Sequence, residues 1–146
     1  MKRNWFSIVA GVVMMGVLAS CGAVNIDKAI AENKALLEKC IVAAKDAKVK
    51  MESAAAAADV ATILNNVTDE IKGYISQGKD ISVKYGLNQD QEDKILDALG
   101  DKVEEFSNAG RELGETVGAA MVKFQDDAAG LELINGAVEN FKTIGE

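Results

Sequence analysis

Apolar residues recur at intervals of four and three along two long stretches of the chain, and this spacing is that of one face of an α-helix. From Ile26 the stripe runs through Ile30, Asn33, Leu37, Cys40, Ala44, Ala47, Met51, Ala54 and Ala58, thinning from large side chains to alanine. Near Asp59 the phase slips by one residue, and Val60, Leu64, Val67, Ile71 and Tyr74 carry it onward. A slip rotates the apolar face, so a bend or chain reversal is expected there. "NNVTDE" is a second candidate break, with Asn65 or Asn66 closing one helix and Thr68 capping the next.

Gly73, Gly78 and Gly86 weaken the end of this half, so residues 78–88 read as a connector or a frayed helix end. Asn88 and Gln91 stand at capping-box spacing, with Glu92 and Asp93 in the first turn beyond them, where acidic groups complement the helix dipole. The clearest stripe follows: Leu96, Leu99, Val103, Phe106, Gly110, Leu113, Val117, Ala120, Phe124, Leu131, Ile134, Val138 and Phe141. It stays in phase through "DDAAG", so either one helix runs from about residue 89 to 144, roughly 80 Å long, or a short final helix follows a turn. The fold class is all-α in both cases: an elongated up-down helical bundle, or a long antiparallel helical hairpin with coiled-coil-like packing. The chain has no proline, which agrees with this.

Inside the second stripe Gly110, Gly114 and Gly118 form a GxxxGxxxG row. Each glycine costs a helix about 1 kcal/mol against alanine, so the row predicts a close helix contact, with Ala54 to Ala58 and Ala61 as the opposing surface. In a membrane such a row pairs spanning helices. Here Arg111, Glu112 and Glu115 lie within it, and the longest uncharged run beyond the amino-terminal segment is only Val60 to Thr68. The other reading of the row is an open groove or self-assembly face.

The amino terminus follows a different pattern. Lys2 and Arg3 precede a run without charge until Asp27, and its most apolar part, Trp5 to Leu18, is shorter than the roughly 20 residues that span a bilayer. A basic head, an apolar middle and a small-residue end are the parts of an export signal. The run closes on Leu18-Ala19-Ser20-Cys21, which resembles the lipobox of bacterial lipoproteins. The resemblance implies a signal peptide over residues 1–20, cleaved before Cys21, a diacylglycerol on the Cys21 thiol and a further acyl chain on its amine. Residues 21–146 are then a single lipid-anchored domain. In enteric members an Asp after the modified cysteine tends to hold the protein at the inner membrane. Gly22 stands there, which implies the outer membrane, or the outer leaflet of the cytoplasmic membrane in a single-membrane bacterium.

Losing Lys2 and Arg3 takes the 16 basic side chains to 14 against 23 acidic, and the formal charge from −7 to −9. That balance argues against nucleic acid, whose phosphates require clustered Lys and Arg. Cys40 becomes the single thiol not committed to lipid, so an internal disulfide is impossible; it is either a buried small hydrophobe or a bridge between two copies.

Motifs that carry chemistry are few. The chain has no histidine, which removes His-based triads and His-ligated metals. "GYISQG" places its first glycine one residue too far from Ser76 for a nucleophile elbow. "NQDQED" lacks the turn glycine and closing acid of a calcium loop, Asp93 and Leu99 standing in those places. The expectation is therefore a non-enzymatic envelope protein with no cofactor or metal. Its partners are the membrane, through the acyl chains, and a second copy or another envelope protein. A binding module for a lipid or other apolar ligand is the alternative, and it requires a cavity between the helices.

Overall fold

The computed structural model describes residues 25–144, which form five helices: α1 Ile26–Glu52, α2 Ala57–Tyr85, α3 Gln89–Ala98, α4 Gly100–Lys123 and α5 Ala128–Lys142. The protein is an all-α bundle, and among the described residues there is no strand. The periodicity explains the core. Leu37, Cys40, Ala44, Ala47 and Met51 are buried on α1, Val60, Leu64, Val67 and Ile71 on α2, and Phe106, Gly110, Leu113, Val117 and Ala120 on α4.

The reversal expected near Asp59 occurs slightly earlier, at residues 53–56: α1 ends at Glu52 and α2 starts at Ala57, so Ala58 and Asp59 already belong to α2. The Asp59 carboxylate accepts a hydrogen bond from the Ala56 amide at 3.2 Å, satisfying one donor at the start of α2 where Ala56 itself offers no side-chain cap. Glu32 near the start of α1 accepts from Lys84 Nζ and Tyr85 Oη at the end of α2, as an antiparallel pair requires.

The expected break at "NNVTDE" is absent. Thr68 is fully buried, and its hydroxyl donates back to the Leu64 carbonyl at 2.7 Å, so the side chain joins the helix instead of starting a new one. The connector expected over 78–88 is also mostly helix. Gly78 and Ser82 are buried within α2, and the helix stops at Gly86, whose φ of 58° and ψ of 43° lie in the left-handed region. The Leu87 amide donates to Ser82 O at 3.0 Å and the Gly86 amide to Val83 O at 3.1 Å, which closes the helix with a Schellman-type turn. The Asn88–Gln91 capping box forms as its spacing predicts: Asn88 Oδ1 accepts from the Gln91 amide at 3.0 Å and Gln91 Oε1 from the Asn88 amide at 2.9 Å.

The long-hairpin alternative is not realised, because the second stripe is cut twice. Leu99 separates α3 from α4, and residues 124–127 separate α4 from α5. α4 packs on α1, with Lys45 reaching Glu105 at 2.8 Å, Lys48 reaching Glu112 at 2.9 Å, and Lys123 Nζ donating to Ala54 O at 2.7 Å. These pairs advance together along both helices, so α4 runs parallel to α1. α5 lies parallel to α2 in the same way: Gly130 sits against Ala57, and Asn140 bonds Asn65 and Lys72. The short α3 carries the chain across the end where α1 begins. There Ala29, Leu36, Ile81, Leu87, Ile95 and Leu99 form a second, smaller cluster. Because α1 touches α2 on one side and α4 on the other, it buries Leu36, Ile41 and Ala43 as well as the stripe residues.

Gly130 is the glycine that meets the alanine-rich turn. Its amide donates to Asp127 Oδ1 at 2.9 Å, capping α5, and an added methyl group would overlap the Ala57 methyl and the Asp127 carboxylate. Gly130→Ala is expected to cost roughly 2 kcal/mol through overpacking, measured by chemical unfolding. An unchanged midpoint would mean that α5 shifts away from α2 without loss.

Candidate lipid-attachment site and helix surfaces

Cys21, the residue that the lipobox resemblance singles out, lies outside the described residues, as do all of residues 1–24. The described chain opens on Asn25, whose Oδ1 accepts from the Lys28 amide at 3.0 Å and caps α1. Asp27 in the first turn adds a favourable charge at the same end. An ordered helix thus starts five positions after Cys21. Among the described residues no helix is long and apolar enough to cross a membrane.

The glycine row is divided. Gly110 is buried, whereas Gly114 and Gly118 are exposed, and a methyl group at Gly118 would meet nothing within 4 Å. The row therefore makes no continuous helix contact among the described residues. The reason is geometric: a step of four residues advances about 400°, so each glycine is rotated by about 40° from the one before, while the buried stripe alternates steps of four and three and stays in line. Leu113 and Val117 hold the core positions beside Gly114 and Gly118. Of the alanines expected opposite the row, Ala54, Ala57 and Ala61 are buried and Ala55, Ala56 and Ala58 are exposed.

Cys40 is 2 % exposed, and burial pushes its thiol up to about 12. It packs as a small hydrophobe in the main cluster, and a bridge between two copies would require that core to open.

Two open grooves run along the outside of α1. The first, about 490 Å³, lies between α1 and α2 and is lined by the apolar Val42, Ala43, Ile63 and Tyr74 together with the charged Glu38, Lys39, Asp46, Lys50 and Glu70. The second, about 440 Å³, lies between α1 and α4 beside Lys48, Glu112 and Glu115. The α1–α4 seam also holds Glu105, kept down at about 2 chiefly by its hydrogen bond from Lys102 and then by that from Lys45. These are partly exposed pairs that fix register more than they add stability. Among the described residues no group of three or more Cys, Asp or Glu side chains is placed to hold a metal ion.

One buried side chain that local sequence pattern does not single out is Glu92. It is 4 % exposed, and among the described residues its Oε1 has no hydrogen-bond partner. Compared with protein-family models, with curated proteins and with solved structures, the chain matches none.

Proposed function

We propose that this chain is a lipoprotein of the bacterial envelope, anchored by acyl chains on Cys21, with a helical bundle that serves a structural or protein-interaction role and no catalytic one. The amino-terminal pattern supports the anchor: Lys2 and Arg3, the apolar run, then LASC. Each buried methylene contributes about 0.8 kcal/mol, so two or three chains hold a protein on a membrane where a single chain would not. With Gly22 after the cysteine, the outer membrane is the proposed address. The helix starting at Ile26 keeps the bundle close to that surface.

The observation that carries the interaction reading is how the space between the helices is used. Leu64, Ile71, Leu113 and Ile134 are each no more than 2 % exposed and fill the interior, while the two grooves described above open outward along α1. Such a bundle offers its outer surface to other proteins, whereas a carrier of apolar ligand needs interior space. The test is the native mass of the full-length protein extracted gently from its own envelope. A whole multiple of the lipidated chain, or a complex with a second protein, is expected. A single chain carrying a non-covalent lipid or other apolar molecule would overturn the reading in favour of a binding module.

A further inference from the structure

α3 is seated in the bundle by only two buried side chains, Glu92 and Ile95. Ile95 enters the small cluster formed with Ala29 and Leu36 of α1, Ile81 of α2, Leu87 and Leu99. Glu92, one turn earlier, places a carboxylate at the same interface. The Ser82 hydroxyl of α2, itself 4 % exposed, faces it and favours its charged form, while among the described residues Oε1 is left without a partner. A buried unpaired oxygen costs far more when it carries charge than when it is neutral.

Among the described residues, the charged groups around this end do not relieve that cost. Glu32 of α1 is occupied by Lys84 and Tyr85 of α2, and Lys102 of α4 by Glu105. Asp93, beside Glu92 on α3, is a like charge. The helix amino terminus favours an anion, but burial outweighs it and holds Glu92 above the ordinary carboxylate value of 4.5. For a group raised in this way, the stabilisation of the seated form is complete below the ordinary value and is lost as pH rises through the raised one. Glu32, Glu105 and Glu112 are shifted downward by their lysine partners, so they stay ionised throughout that window.

We infer that α3 is a proton-operated clasp over the end of the bundle, seated when the Glu92 carboxyl is neutral and the first segment to open when it is ionised. The turn at Gly86 and the break at Leu99 bound the segment, so it can open without unwinding α2 or α4. Amide hydrogen exchange of the full chain in detergent, read peptide by peptide and corrected for intrinsic rates, tests this at about pH 4 and about pH 8. Protection of α3 relative to α2 is expected to fall several-fold between them. Glu92→Gln is expected to hold α3 at the high protection at both. A wild-type α3 with equal relative protection at the two values, or a Glu92→Gln variant that keeps the wild-type change, would overturn the clasp. Ser82→Ala gives an independent check should Glu92→Gln fail to fold. Removing the donor raises the cost of the charge, so the pH-dependent change is expected to grow, and an unchanged amplitude would count against the inference.

Discussion

Cys21→Ala is expected to abolish incorporation of labelled palmitate and to leave a precursor that keeps residues 1–20. Both effects follow if the thiol is the single attachment point, because the peptidase that cuts before a lipobox cysteine acts on its lipid-modified form. The experiment is metabolic labelling of cells expressing either chain, followed by gel mobility. Cys40→Ala is the matched control: Cys40 is buried and offers no surface for acylation, so labelling is expected to be unchanged. Equal labelling of the Cys21→Ala chain would remove the anchor from the account.

The second large effect concerns the core. Leu64 is 2 % exposed and stands in the middle of the cluster that α1, α2, α4 and α5 share. Leu64→Ala removes buried methyl groups and leaves a cavity, which is expected to cost about 3 kcal/mol and to lower the melting temperature by roughly 10 °C, read by circular dichroism. Val42→Ala, on an exposed ridge of α1 at 56 % accessibility, is expected to stay within about 0.5 kcal/mol of the parent. A small loss at Leu64, equal to that at Val42, would mean that the bundle is loosely packed and has room for a ligand.

The two long stripes were readable because their faces are buried against neighbours along most of their length. Apolar spacing records burial, and Leu37, Leu64, Leu113 and Ile134 all lie where it places them. The reversal after Glu52 was readable for the same reason, since the turn changes the phase of the stripe. The break at Leu99 was not, because α3 and α4 meet there without adding a residue to the count and the four-three spacing runs on undisturbed. Thr68 looked like a cap in sequence and instead bonds within its own helix. The glycine row looked like a contact because equal spacing suggests one face, yet the 40° drift carries Gly118 into solvent. Glu92 was hidden by its surroundings: an acid just after a capping box is what a helix dipole favours at a surface, and only the packing of α3 reveals it as buried. The parallel pairing of α1 with α4 depends on contacts between residues about sixty positions apart, such as Lys45 with Glu105, which no local pattern encodes.

We propose that a helical bundle beginning at Ile26 is carried by lipid on Cys21. The intact mass of the protein isolated from its own envelope tests it most directly. A species matching residues 21–146 plus a diacylglyceryl group and a further acyl chain is the predicted result. A chain that retains residues 1–20, or one that starts at Cys21 with no added mass, would contradict it.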